Sequence, residues 1–427
     1  MTTFELPQLS PPAPAPKVRR ERPVESRRVN PGSLPTLTTT TVIDLDITDG
    51  CNLACSYCSK NLDHPNNMSL ETARDAVEWL LLASGQAQQI GVNFMGGEPS
   101  LRFKMIKRLV PWAKRRAQSV GKTIGWSFTS NMTAWTDELR AWVDDNGCGV
   151  LMSIDGCPEV QDAQRPSKDG RPKSEIIAHW TRSMLRTRPL ADARMTVAPK
   201  WVHKLYDSVV YLWEDIGFQN VVMADADYDN WTLERIETYR EQQAKIADYL
   251  FEDFKRGGQK SVAIYAYYMK HLVDPRQHGR PTTDRPSPCG AGYNYCMIDF
   301  VGDVWPCHRF DGAAEDSGTC NCMRLGNIYD EGYNEKLSNA FRCIDHHMIA
   351  KPECKTCPVE PICGGFCPAA NLQDTKDSIY TPHDGYCRLK WILYDTIEKL
   401  YNRMRDYDPE ALERKIAAIT IGGTGET

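Results

Sequence analysis

The sequence predicts an α/β fold: a partial, TIM-like (β/α)6 barrel open on one side, followed by a cysteine-rich segment. Three observations lead there. Six strand-like stretches alternate strictly with helix patterns between residues 41 and 256, which implies parallel strands joined by right-handed crossovers. Near residue 285 glycine, proline and cysteine become dense and long helix patterns stop. Sixteen cysteines in 427 residues, unevenly spread, then call for one explanation.

Composition removes several classes. Hydrophobic residues make up 41% and charged residues 25%, the balance of a soluble globular protein. No run approaches the roughly 18 apolar residues of a membrane span. A net charge of −5 and a pI near 6.0 argue against a broad nucleic-acid footprint. The N-terminus, MTTFELPQLSPPAPAPK, lacks the charged-then-apolar order of a secretory signal. A cytoplasmic setting follows as an expectation, and there metal ligation is favoured over disulfides.

The elements follow in order. Residues 1–40 read as a disordered, proline-rich arm, with eight prolines in the first 36 positions and a basic stretch from Lys17 to Arg28. TVIDLDITDG (41–50) alternates Ile43, Leu45 and Ile47 with Asp44 and Asp46, a strand period. Ser69 caps a helix whose apolar positions include Leu70, Ala73, Val77 and Leu80. Further strands are expected at 90–97, 123–131, 149–156, 193–199 and 220–228. Helices are expected at 101–120, 136–146, 174–188, 203–217 and 232–256. The barrel is thus placed at 41–285. A segment at 286–390 has too few apolar residues for a large core of its own, so metal is expected to help hold it. Residues 391–427 read as one helix and a flexible tail.

Cys51-x3-Cys55-x2-Cys58 directly follows the first strand. Three thiolates in one short loop can hold three irons of a cubane and leave the fourth open to a substrate or cofactor. Zinc would want a fourth ligand from the protein. The loop also lies where barrels keep their chemistry, at the C-terminal mouth of the strands. Downstream, Cys289, Cys307, Cys354, Cys357, Cys363, Cys367 and Cys387 form a second string, for which zinc knuckles are the plain alternative.

CNLACSYC (51–58), with Tyr57 before its last cysteine, resembles the signature of radical S-adenosylmethionine enzymes. The downstream string resembles the SPASM domain, the auxiliary-cluster extension of radical enzymes that mature peptides and proteins, including anaerobic sulfatase maturases. The resemblance implies S-adenosylmethionine and three [4Fe-4S] clusters as cofactors. It implies that Cys51, Cys55 and Cys58 hold the radical cluster. GGEPS (96–100) matches the family's GGE motif, so Gly96 and Gly97 would let backbone approach the ligand and Glu98 would accept from its ammonium. SIDG (153–156) and QDAQR (161–165) match the sulfatase-maturase branch, implying Ser153 at the ribose and Arg165 at the carboxylate. SNMT (130–133) stands where the family has TNGT, which makes Asn131 a cofactor contact and puts Met132 in place of a glycine.

The same resemblance implies that Cys289, Cys296, Cys307 and Cys367 hold auxiliary cluster I, with Cys320, Cys322 and Cys343 as weaker substitutes for Cys296. It gives Cys354, Cys357, Cys363 and Cys387 to auxiliary cluster II. Cys148 and Cys157 read as ordinary packing residues. WPCHRFDG (305–312) places His308 where sulfatase maturases carry a catalytic aspartate, and is closer to the PCHRFVG or PCHQFVG segment of thioether-forming maturases. His308 is a candidate base or cluster hydrogen-bond donor, with a structural role as the plain alternative. Asp225, Asp227 and Tyr228 are candidate substrate contacts at the end of the sixth strand.

The expectation is a radical maturase that abstracts hydrogen from a ribosomally made peptide or protein, with crosslinking, epimerisation, oxidation and cleavage open. The alternatives are a radical dehydrogenase of a small molecule and a non-enzymatic iron–sulfur carrier. Only 50 residues precede Cys51, without the helices of a winged-helix leader-binding domain. Expected partners are therefore the precursor peptide or protein, its leader held by a separate leader-binding protein, by the arm or by the barrel itself, and a flavodoxin- or ferredoxin-type electron donor, with neither nucleic acid nor membrane.

Overall fold

The structure is a computed structural model that describes residues 28–58, 60, 66–226, 230–273, 289–311, 323–342, 351–365, 367–375 and 378–418. Within it the six expected strands form: β1 (Val42–Thr48), β2 (Gln89–Gly96), β3 (Thr123–Ser130), β4 (Gly149–Ser153), β5 (Ala193–Val197) and β6 (Asn220–Asp225). They pair side by side in chain order, all parallel. The α/β, parallel-sheet reading holds.

The alternation in β1 has a different meaning from a water-facing sheet. Ile43, Leu45 and Ile47 are fully buried in the core shared with helix α1 (Leu70–Ala83). Asp44 and Asp46 point to the other face, which is the barrel lumen, and are buried too. Ser69 caps α1 as expected, its side chain accepting from the Thr72 N–H at 3.0 Å. The crossover helices α2 (Phe103–Ser119), α3 (Asp137–Asp145), α5 (Ser174–Leu185), α6 (Leu205–Tyr211) and α7 (Leu233–Lys255) also match the expected pattern. The short α4 (Pro158–Gln164) was not read from the sequence, nor was the pair β7 (Ser261–Val262) and α8 (Ala263–Val273). Two residues of strand are too few to show a period.

The larger departure concerns the free edge of β1. Strand β8 (Tyr295–Ile298), from the cysteine-rich segment, pairs parallel with β1, and β9 (Asp303–Trp305) and β10 (Gly326–Asn327) extend the sheet antiparallel. Among the described residues the sheet has ten strands, ordered β10-β9-β8-β1-β2-β3-β4-β5-β6-β7. Barrel and cysteine-rich segment thus share one sheet rather than meeting as two bodies. A small second core of Trp305, Phe310, Phe341 and Met297 lies under the helices α9 (Glu335–Arg342) and α11 (Pro368–Thr375), while the short α10 (Glu360–Cys363) packs Ile362 into the main core.

Both ends of the chain are more ordered than the sequence suggests. Residues 28–40 lie as a strap: the Asn30 N–H donates to the Ile328 carbonyl at 2.9 Å, and Trp79 Nε1 donates to the Ser33 carbonyl at 3.2 Å. At the other end, α12 (Asp384–Tyr407) starts before residue 391 and carries Cys387 in its first turn. A second helix, α13 (Pro409–Ala418), follows. Residues 1–27 and the last nine lie outside the described residues. No helix among the described residues is long and apolar enough to cross a membrane.

Candidate functional site

Cys51, Cys55 and Cys58 sit in the loop after β1. That loop is pinned along residues 164–168: the Ala54 N–H donates to the Pro166 carbonyl at 2.8 Å, and the Ser56 N–H to the Gln164 carbonyl at 2.9 Å. A cavity of about 160 Å³ opens beside it, bordered by Cys51, Cys55, Tyr57, Cys58, Gly96, Gly97, Asn131, Ser153 and Arg165. Every expected cofactor contact but one therefore faces a single space.

Glu98 is the exception. Its Oε1 accepts from the Ser100 N–H, Ser100 Oγ and Ser130 Oγ, and its Oε2 accepts from the Asn131 N–H at 2.7 Å. The carboxylate expected to meet a ligand ammonium instead ties the end of β2 to the end of β3, and burial raises its pKa. Gly96 has φ +126°, and a Cβ there would strike the Thr48 carbonyl and Asp46. A Cβ on Gly97 would strike the Gly50 carbonyl. Both glycines let the strand end close against the backbone of the cysteine loop, in addition to bordering the cavity.

Met132, which stands where the TNGT pattern has glycine, takes a left-handed backbone conformation of the kind glycine favours. Its φ is +63°, and its side chain is fully buried in the core. Asn131 is thereby aimed at the cysteine loop, its Nδ2 donating to Asn52 Oδ1 at 3.1 Å and to Cys51 Sγ at 3.6 Å.

One residue that the sequence reading left unassigned organises the far wall. Asp155, fully buried, accepts from Arg165 Nε at 2.9 Å, Arg165 Nη2 at 2.8 Å, Tyr57 Oη at 2.5 Å and the Thr196 N–H at 2.9 Å. The arginine fork expected to grip a ligand carboxylate is thus engaged by a protein carboxylate, with the guanidinium carbon 5.4 Å above the Tyr57 ring. Position in the SIDG motif was the available signal. Cys51 and Cys55 are partly buried whereas Cys58 is exposed, and burial pushes the Cys55 thiol up to about 12.

The barrel lumen continues from this cavity as a polar chain. Ser127 Oγ donates to Asn93 Oδ1 at 3.0 Å, and Asn93 Nδ2 donates to Asp44 Oδ1 at 2.9 Å. Tyr295 Oη donates to Asp44 Oδ2 and lies 3.3 Å from His308 Nδ1, which is itself 3.4 Å from that carboxylate oxygen. His308 is half exposed, so its ring projects beyond the buried pair. Nearby, Lys60 bridges Asp46 and Asp311 and lies 3.5 Å from Asp49. Burial opposes the charge on Lys60, but the three carboxylates outweigh it and hold its pKa above the ordinary lysine value.

The downstream cysteines separate into two groups. Cys307 is buried, its thiol pushed up by burial and by the neighbouring Cys367 and Cys289. Arg309 Nη1 reaches Cys367 Sγ at 3.7 Å. Cys296 does not join them. It faces the opposite side of β8, fully buried, with Thr40 Oγ1 at 3.8 Å and Tyr333 Oη at 3.9 Å from its sulfur. Tyr295 and Met297 face Cys307 instead, as a period of two requires. Cys320, Cys322 and Cys343, like Asp227 and Tyr228, lie outside the described residues. The other group, Cys354, Cys357, Cys363 and Cys387, borders one cavity of about 380 Å³ with Lys351, Lys390 and Trp391. Asp225 sits behind it, accepting from Tyr239 Oη at 3.3 Å. Cys148 is buried packing, as expected, and Cys157 is partly buried beside Ser208.

Among the described residues no three ligating side chains converge tightly enough to hold a single metal ion. A cubane of four irons spaces its thiolates more widely than one ion does, and all-thiol donor sets around cavities suit it. The residues present fit iron–sulfur clusters, with three thiols bordering one cavity and four bordering the other.

Residues 45–178 match the radical SAM superfamily. The chain carries a radical SAM domain, and it is an enzyme. Over 368 residues it is 24% identical to the PqqA peptide cyclase of Bradyrhizobium diazoefficiens, covering 84% of this chain and 88% of that protein. It is 28% identical over 346 residues to the mycofactocin maturase MftC of Mycobacterium ulcerans, covering 77% and 82% respectively. Its fold is that of anSMEcpe solved with bound AdoMet and the Cp18Cys peptide, with TM-score 0.69 at 19% identity over 86% of this chain and 99% of that one.

Proposed function

We propose that this radical SAM enzyme is a cytoplasmic maturase that modifies a side chain or backbone carbon of a ribosomally made peptide or protein. The observation that carries the reading is the cavity bordered by Cys51, Cys55, Cys58, Gly96, Ser153 and Arg165, set at the mouth of a polar lumen. The peptide-modifying names of two relatives that align along most of the chain add to it. A [4Fe-4S] cluster on the three loop cysteines, with S-adenosylmethionine at its open iron, would supply a 5′-deoxyadenosyl radical that removes hydrogen from the substrate.

The chain's own residues do the rest. Asp155 locks Arg165 and Tyr57, which hold the cysteine loop rigid against the cavity wall. Ser153 and Asn131 present polar atoms to the cavity for the cofactor's ribose and adenosyl portions. Tyr295 and Asp44 orient His308, which receives or returns a proton at Nε2 on the substrate side. Cys289, Cys307 and Cys367 hold one auxiliary cluster with a fourth ligand other than Cys296. Cys354, Cys357, Cys363 and Cys387 hold the other. A flavodoxin or ferredoxin supplies electrons.

The test is anaerobic co-expression with each small peptide encoded beside the gene, followed by mass spectrometry. A mass change in one peptide, with stoichiometric 5′-deoxyadenosine, is expected, and its size separates crosslinking, epimerisation, oxidation and cleavage. Replacing Cys51, Cys55 and Cys58 with alanine should abolish deoxyadenosine while auxiliary-cluster absorbance persists. Efficient conversion of a sulfatase-type CxPxR peptide to formylglycine would overturn the substrate reading, since His308 stands where that chemistry uses a carboxylate.

A further inference from the structure

One buried contact joins the barrel mouth to the four-cysteine cavity. Asp225 ends β6 with its side chain 5% exposed. Lys390 lies on α12 three residues after Cys387, so both project from one face of the helix toward the cavity they border. The Lys390 ammonium is 3.7 Å from Asp225 Oδ2 and 4.6 Å from the centre of the Tyr386 ring. Its side chain is only 12% exposed. Tyr239 holds the second oxygen of Asp225 at 3.3 Å, so the carboxylate is positioned from both sides.

We propose that Lys390 raises the reduction potential of the cluster held by Cys354, Cys357, Cys363 and Cys387, and that Asp225 holds its ammonium there while offsetting part of its field. The proposal rests on the auxiliary-cluster reading above. A cluster that gains one electron becomes one unit more negative, and net charge nearby is a main determinant of its potential. A cation fixed beside the cavity, in a partly dry environment, favours that reduced form. A carboxylate behind the cation weakens the effect. Lys390 and Asp225 therefore act with opposite sign on one centre, a pattern that a purely structural ion pair does not produce.

The experiment is an anaerobic redox titration of the reconstituted full-length chain, followed by electron paramagnetic resonance. Replacing Cys51, Cys55 and Cys58 with alanine in every sample removes the overlapping radical-cluster signal. Lys390→Met is expected to shift the reduction equilibrium of one cluster at least tenfold toward the oxidised form, a fall of about 59 mV for one electron. Lys390→Arg should restore the parent value. Asp225→Asn should move the same midpoint upward, and because it leaves the cysteine cavity intact it tests the sign alone if Lys390→Met does not accumulate. Unchanged midpoints, or Asp225→Asn shifting in the same direction as Lys390→Met, would overturn the proposal. Iron content separates this from failure of the underlying reading. Cys354→Ala with Cys387→Ala should remove about four irons per chain, and no loss of iron would remove the auxiliary cluster itself and the proposal with it.

Discussion

Asp155 accepts four hydrogen bonds with no exposed surface, two of them from Arg165, which is also buried. Removing one charge of such a pair strands the other, so Asp155→Asn is expected to destabilise the iron-free protein by about 3–5 kcal/mol in chemical denaturation. Arg165→Lys keeps the charge but loses the fork, and should cost less in stability while loosening the cysteine loop. Met132 poses the opposite balance. Its left-handed backbone costs a non-glycine residue about 1–2 kcal/mol, whereas its buried side chain is worth about 2–5 kcal/mol. Met132→Gly should therefore lower stability by about 1–3 kcal/mol despite relieving the backbone, measured by the denaturation midpoint. The thiol of Cys55 gives a pH dependence. Its folded pKa of about 12 exceeds the ordinary 9.0, so the native state binds more protons and iron-free stability falls as pH rises from 9 toward 12. Near neutrality the thiol is protonated, and cluster assembly must release that proton. Reconstitution should run faster at about pH 8.5 than at about pH 7, followed by absorbance.

Strand β8 shows how an element decides what a motif cannot. Its four residues alternate, Tyr295 and Met297 toward the second core and Cys296 and Ile298 toward the barrel core. The resemblance to the SPASM pattern puts Cys296 among the ligands, but the pleat turns it away from Cys307. Cys296→Ala is expected to leave iron content unchanged and to cost only about 1 kcal/mol for the lost sulfur. Cys307→Ala should lower iron content, measured by iron analysis after reconstitution. Helix α12 carries a similar lesson. Its apolar run begins near Trp391, which is where the sequence alone places the helix start, while Gly385 and Cys387 mask the first turn. Starting at Asp384 sets Cys387 and Lys390 one turn apart, and that spacing brings the helix into the cluster cavity.

Across the whole molecule, β8 covers the edge of β1 that a six-stranded barrel would leave open. A chain truncated at 285 should therefore expose a long unpaired edge beside the cysteine loop and aggregate, rather than yield a stable isolated barrel. Sedimentation and circular dichroism of that fragment check this. A monomeric fragment with native helix content would show the barrel to be separable. The six barrel strands, their helices, the loop thiols and the GGE and SIDG positions were legible in sequence because each rests on short-range information. Strand and helix periods repeat within ten residues, and a metal loop declares itself by spacing. The pairing of β1 with β8 is instead a contact between segments about 250 residues apart, through a strand too short to show its own period. The engagement of Arg165 by Asp155, the exclusion of Cys296 and the meeting of Asp225 with Lys390 are likewise choices of facing and distance. Sequence determined which chemistry this chain can hold. Packing alone decided which of those groups meet, because side-chain direction is set by the elements that close around it.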